Sequence, residues 1–146
     1  MSRLIYLPIA FICFVFVQSL FFKFTGSEET VIIFSTIGAW MADIGLPSSI
    51  ANGFANYGGW AVGLTELVAC VLLIIPKTRL YGALLAFGLM CGAIFFHLGT
   101  PLGVDRVVDA EGNTDNGLLF VMACGVWLCA LIVAVLRLVG FRANAA

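Results

Sequence analysis

Charged side chains are scarce in this sequence of 146 residues, of which 10% are Asp, Glu, Lys or Arg. With 62% hydrophobic residues and a mean hydropathy of +1.13, the chain has too few polar residues to cover a small water-soluble core. A net charge of −1 and the lack of a basic patch argue against nucleic-acid binding. The composition indicates an integral membrane protein.

The chain also has few of the residue patterns that form metal sites and redox centres. It contains one histidine, and its five cysteines all lie inside apolar runs without a C-x-x-C pair, so we interpret them as small apolar packing residues. The acidic segment 105–115 lacks the glycine position and the final glutamate of a calcium loop, which indicates a solvated turn. We therefore expect no metal site and no intrinsic cofactor.

Four long apolar runs predict helices that cross a membrane. Each approaches the ~20 residues that span ~30 Å of hydrocarbon, and none shows the alternation of a barrel strand. The predicted spans cover residues 4–22, 58–75, 80–98 and 117–138. We expect an all-α, polytopic four-helix bundle that forms a single membrane domain over residues 1–146.

A shorter helix is predicted between the first two spans. Ser27 is a suitable N-cap, Glu28 and Glu29 favour the first turn, and apolar residues recur at helical spacing up to Gly45. A helix over 28–43 is too short to cross a membrane, so we expect an amphipathic helix at the interface. It is either a mobile lid over the bundle or a permanent packing element. Residues 47–57 are predicted to form a loop.

The distribution of Lys and Arg predicts the orientation. The side with both termini carries five such residues, and the other carries Lys23 and Arg106. Because cytoplasmic loops are enriched in Lys and Arg, we expect both termini to lie in the cytoplasm. The five residues are Arg3, Lys77, Arg79, Arg137 and Arg142.

Glu66 is the strongest indication of a functional site. A carboxylate in an apolar helix costs roughly 2.5–3.5 kcal/mol on insertion scales, so such a residue is expected to face a partner, a cavity or a substrate. Helical rise places Gln18, Lys23 and His97 with Glu66 in the outer half of the bundle. Each also has a structural interpretation: Glu66 as an interhelical hydrogen-bonding group, and Lys23 and His97 as interfacial anchors.

Small residues on the third span add a candidate binding surface. Met90, Ala93 and His97 share one face of this helix. The site prediction is therefore Glu66 and His97 as catalytic groups, with Gln18, Lys23, Met90 and Ala93 as cofactor-binding residues. The G-x-x-x-G pairs 59/63 and 88/92 predict either close packing of spans two and three or the face of a homo-oligomer.

Several motifs resemble the DoxX family. The resemblance implies a four-helix bacterial inner-membrane protein that is grouped with oxidoreductase systems and has protein partners. It also implies functional roles for Lys23, Glu66 and His97. The residues that carry it are Lys23-Phe24-Thr25-Gly26, Gly63-Leu64-Thr65-Glu66-Leu67, Gly82-Ala83-Leu84-Leu85 and Gly92-Ala93-Ile94 with His97-Leu98.

Three functions remain open at this stage. The first is a subunit of a membrane redox system that binds quinone or another small apolar ligand near Glu66 and His97, without a redox centre of its own. The second is a non-catalytic scaffold or assembly factor. The third is a pathway for a small solute or protons, which four short spans leave little room for.

Overall fold

The computed structural model describes residues 3–143, which fold into five α-helices after a short 3₁₀ turn at Arg3–Ile5. All except α2 are long and apolar enough to cross a membrane, α5 over residues 118–140. Within residues 3–143 there is no β-strand, and the predicted all-α polytopic bundle is confirmed. The helices are α1 (Tyr6–Thr25), α2 (Glu28–Asp43), α3 (Ser48–Ile74), α4 (Arg79–Gly99) and α5 (Leu118–Ala143).

The four long helices form a closed ring. Helix α1 packs against α3 and α5, and α4 packs against the same two helices from the opposite side. The bundle therefore has two ends. We call them the turn end, where residues 75–78 join α3 to α4, and the α2 end, where α2 and the loop 100–117 lie.

Helix α3 is longer than the apolar pattern predicted. It begins at Ser48, directly after Pro47, so residues 48–57 are helical and not the predicted loop. This segment carries Ser, Asn and Gly, which have low helix propensity, but α2 folds back along it as the second arm of a helical hairpin. At 27 residues α3 is about 40 Å long, which exceeds ~30 Å of hydrocarbon.

Glycines bring α2 and α3 close together. A Cβ atom on Gly38 would lie 2.8 Å from Ala55 Cβ, and one on Gly58 would lie 2.6 Å from the ring of Phe34. The two helices therefore touch along a seam where side chains larger than hydrogen do not fit. Ser27 caps α2 as predicted, since its side chain accepts a hydrogen bond from the backbone N–H of Thr30.

The turn end of the bundle is closely packed. The largest fully buried side chains among the described residues come from α1, α3 and α5 and are Phe16, Ile12, Leu73, Val126 and Val133. The alanines of α4, Ala83 and Ala86, are also fully buried and let that helix approach the others. These side chains belong to the buried apolar core of the bundle.

The second and third spans, α3 and α4, make their close contact at Gly82, which belongs to neither of the G-x-x-x-G pairs. A Cβ atom on Gly82 would lie 2.6 Å from the backbone nitrogen of Leu73. In contrast, Gly63 packs against Phe24 of α1, and neither Gly88 nor Gly92 has an atom within 4 Å of its Cβ position. The expectation that these G-x-x-x-G pairs join the two spans is wrong, because Gly59 and Gly63 face α2 and α1, while Gly88 and Gly92 face open space.

Candidate functional site

The half of the bundle near the α2 end contains a partly open cavity of about 530 Å³. All five helices contribute to its wall, which is mostly apolar, and the volume lies in the range of roughly 300–1,000 Å³ that is common for small-molecule sites. The polar or ionisable residues along the wall are Ser19, Lys23, Glu29, Thr30, Glu66 and His97.

Lys23 and Glu66 form a buried ion pair on this wall. The Lys23 Nζ atom lies 3.0 Å from Glu66 Oε1 and 2.9 Å from Glu66 Oε2. The two side chains are 15% and 5% exposed, so most of the water that would solvate either charge is excluded. Each charge therefore depends on the other for its compensation.

The pair forms because α1 and α3 run in opposite directions. A helical side chain leans toward the N-terminus of its own helix. Lys23 therefore leans from the end of α1 toward the turn end, while Glu66 leans toward the α2 end. The two side chains therefore point toward each other and make a direct contact, although their Cα atoms lie at different depths in the bundle.

Ser19 completes the polar cluster and was missed by the sequence analysis. Lys23 Nζ donates to Ser19 Oγ at 2.8 Å, and Ser19 Oγ lies 2.8 Å from Glu66 Oε2 and 2.9 Å from the Phe16 carbonyl oxygen. The single hydroxyl proton can go to either oxygen. Ser19 is four residues before Lys23, so helical periodicity places the two on one face and was the signal available.

His97 is buried on the same cavity wall. Its Nδ1 lies 2.7 Å from the carbonyl oxygen of Gly103, and its ring meets Phe120 edge-on at 5.6 Å between centroids. The hydrogen bond crosses from α4 to the loop that follows it. Both the ring plane and the position of the histidine are therefore fixed by contacts outside the cavity.

The other predicted site residues divide into two groups. Met90 and Ala93 lie on the cavity wall, next to the open glycine positions Gly88 and Gly92. Gln18 is exposed on α1 and is not on the wall. The structure thus brings five of the six predicted residues to one cavity and leaves Gln18 on the outer face of the bundle.

Helix α2 covers the cavity from the side of α3. Phe34 and Ile37 are buried against the bundle and contribute to the wall, together with Thr30. The exposed face of the same helix includes Val31. Helix α2 is thus an integral part of the cavity wall.

The loop 100–117 is tied to the start of α2. Arg106 is 2% exposed and pairs with Glu29, and its Nη2 atom lies 3.5 Å from Asp115 Oδ2. The Ala110 N–H donates to Glu28 at 2.8 Å. The predicted solvated acidic turn is therefore only partly correct, because a buried arginine holds the base of the loop.

Two aspartates in this loop have shifted acidity. Burial alone would raise the pKa of Asp115, but hydrogen bonds from the Leu119 and Gly117 amides and the charge of Arg106 outweigh it, and the pKa is lowered. The side chain of Asn113, helped by backbone amides, lowers the pKa of Asp109. Both aspartates stabilise the loop in their ionised form.

The site suits a molecule that is mostly apolar and has a polar group at one end. The apolar wall would take up hydrocarbon, and the Lys23–Ser19–Glu66 cluster together with His97 supplies hydrogen-bonding atoms. Among residues 3–143 no group of three or more His, Cys, Asp or Glu side chains is placed to hold a metal ion. The arrangement thus combines an apolar wall with polar groups at one end of the cavity.

The chain matches the model of a known protein family. The family described as methylamine utilisation protein MauE matches residues 1–102, a stretch that holds α1 to α4 and all six predicted site residues. No curated protein and no solved structure matches the chain significantly. The expectation of a polytopic membrane family is confirmed, although the matching family is not DoxX.

Proposed function

Since the chain belongs to the family of the methylamine utilisation protein MauE, we propose that it is an accessory protein of a membrane redox system and binds a small apolar ligand of the quinone type. The observation that carries this proposal is the pairing of an apolar cavity of about 530 Å³ with one buried charged cluster. A quinone combines a ring that needs such an apolar wall with oxygens that need polar partners.

Different residues of the cavity would contact the ring of the ligand and its polar edge. Gly88, Gly92 and Ala93 leave a flat surface on α4 against which a planar ring can lie. The Lys23–Glu66 pair and His97 would contact the polar edge of the ring. Glu66 and His97 are the groups that could exchange protons with it, and the chain would need a partner protein that carries the redox centre.

The location follows the same reasoning. The chain is a multi-pass membrane protein, and the distribution of Lys and Arg supports an orientation with both termini in the cytoplasm. The cavity would then lie in the outer half of the bilayer, where a lipid-soluble quinone is available.

The test is to fill the cavity without disturbing the fold. Gly92→Leu places a side chain in the cavity, and Gly140→Leu is the matched control because its Cβ position is equally open but lies away from the cavity. We expect a quinone-type molecule to co-purify in mild detergent with the native protein and with Gly140→Leu, and to be lost from Gly92→Leu. Mass spectrometry of the purified proteins measures this.

Other functions predict other results. A scaffold would carry no small molecule, and Gly92→Leu would support methylamine-dependent growth of the host as well as the native chain does. A proton pathway would acidify proteoliposomes without any partner. Either result, obtained with folded protein, would overturn the proposal.

A further inference from the structure

The tautomer of His97 determines what kind of atom it offers to the cavity. A carbonyl oxygen can only accept a hydrogen bond, so the 2.7 Å contact between Nδ1 and the Gly103 oxygen requires the proton to be on Nδ1. No carboxylate pairs with the ring among residues 3–143. In the tautomer that makes this contact, Nε2 carries the lone pair of the ring and acts as an acceptor.

That acceptor has no partner within the described part of the chain. His97 is 4% exposed and lines the cavity, yet hydrogen bonding engages only Nδ1. Within the described residues, Nε2 of His97 is not among the fully enclosed nitrogens without a partner, so a molecule in the cavity can reach it. A buried acceptor that is left without a donor is unfavourable, so its position indicates a donor on a bound ligand.

The Lys23–Ser19–Glu66 cluster also presents a hydrogen-bond acceptor to the cavity. An ammonium has three protons, and Lys23 makes one contact to Ser19 and two to Glu66. Its donors are therefore committed within the cluster. The carboxylate of Glu66 keeps unused lone pairs, because two oxygens provide about four acceptor sites.

From these two acceptors we infer that the cavity selects a ligand with hydroxyl donors, of the phenol or hydroquinone class, over a ligand of the same shape with only carbonyl or ether oxygens. This inference rests on the proposed function and names the form of the ligand. One hydroxyl donates to His97 Nε2. A carbonyl at that position would face a lone pair and would leave both acceptors unsatisfied.

The test compares three probes on the native full-length protein in detergent. They are a short-chain alkyl hydroquinone, the corresponding quinone, and the dimethyl ether of the hydroquinone, which resembles it in shape but has no donor. Since one hydrogen bond of about 1 kcal/mol changes an affinity about fivefold, we expect the hydroquinone to bind at least about fivefold more tightly than either of the others. Binding is measured by titration under anaerobic conditions.

A pair of variants connects the preference to the histidine. His97→Phe keeps an aromatic ring and removes the acceptor, and we expect it to lose the preference for the hydroquinone. His97→Gln restores an acceptor oxygen and should recover part of that preference. Melting temperatures of both variants show whether they are folded.

The outcomes separate the two proposals. Equal binding of all three probes to the native protein, or tighter binding of the quinone, would overturn this inference and leave the proposed function intact. Binding of none of the probes would overturn both. A preference for the hydroquinone that His97→Phe retains in folded form would remove His97 from the selection.

Discussion

Lys23 Nζ lies 2.9 Å from Glu66 Oε2, which joins the end of α1 to the middle of α3 across 43 positions of sequence. The contact explains how an apolar span can carry a carboxylate, because the cation from α1 compensates a charge that lipid would not tolerate. It also places both charges at the edge of the cavity. The same pair therefore bears on stability and on ligand binding.

The first prediction concerns the stability of this pair. Lys23→Met and Glu66→Met each leave a buried charge without its partner, which typically destabilises a protein by about 3–5 kcal/mol. The double variant replaces both charges by apolar side chains of similar length and should recover most of the loss. Thermal unfolding in detergent measures all three variants against the native protein.

Additive losses would contradict this prediction. If the double variant is destabilised by the sum of the two single effects, the charges contribute independently and the pair is not the unit of stability. Ligand binding separates the other role of the pair. We expect the double variant to fold and to bind the hydroquinone more weakly, because the Glu66 acceptor is gone.

The second prediction compares glycines of α4. Gly82→Ala should lower the melting temperature, since the new methyl group would lie 2.6 Å from the Leu73 backbone nitrogen. Overpacking of this kind usually costs about 1–3 kcal/mol. Gly88→Ala is the matched control on the same helix and should be tolerated, because its Cβ position is open. Equal melting temperatures for the two variants would show that α4 can move away from α3.

Much of the fold could be predicted from local signals. Hydropathy located the four long helices, and the Ser27 cap with its two following acids located the start of α2. These features are properties of individual helices and of the lipid or water around them. The residues of each segment are therefore enough to predict them. The helical segment 48–57 was missed because its stability comes from contact with α2, which is a tertiary effect.

The candidate site contains contacts that were not predicted correctly from the sequence. Gln18 and Lys23 were grouped by depth, but five residues turn a helix by about 500°, so the two side chains point about 140° apart. Ser19 is only about 40° from Lys23 and is the residue that joins the cluster. Periodicity could have corrected both errors. The Lys23–Glu66 contact also depends on the packing of α1 against α3, which the sequence does not specify.

The third prediction concerns orientation. If the distribution of Lys and Arg sets the topology, reporter fusions after residue 78 and at the C-terminus will be cytoplasmic, and fusions near Ser48 and Asn113 will be external. Paired alkaline phosphatase and fluorescent protein fusions measure the two states. A cytoplasmic signal near Asn113 would contradict the orientation, and the cavity would then open toward the opposite leaflet.

The fourth prediction concerns acid. The folded protein holds the pKa of Asp115 below the ordinary value of 3.8. A lowered pKa means that the ionised group stabilises the fold above the unfolded value and that this contribution is lost as the pH falls through the folded value. We therefore expect the loop 100–117 to be equally protected at pH 7 and pH 5 and to open below about pH 4. Amide hydrogen exchange of this loop measures the change.

The control for acid opening is Asp115→Asn, which keeps an acceptor oxygen for the Leu119 amide but removes the charge that faces Arg106. We expect this variant to be less protected at pH 7 and to lose less protection between pH 5 and pH 3. Asp109 titrates in the same window, since Asn113 lowers its pKa as well, and Glu29 also pairs with Arg106. Asp109→Asn therefore serves as the second control, because it removes a neighbouring titration that does not contact Arg106. If the loop of Asp115→Asn loses protection with falling pH as steeply as the loop of the native chain does, the prediction is wrong. The loop would then be held by Glu29 or Asp109 and not by the ionised Asp115.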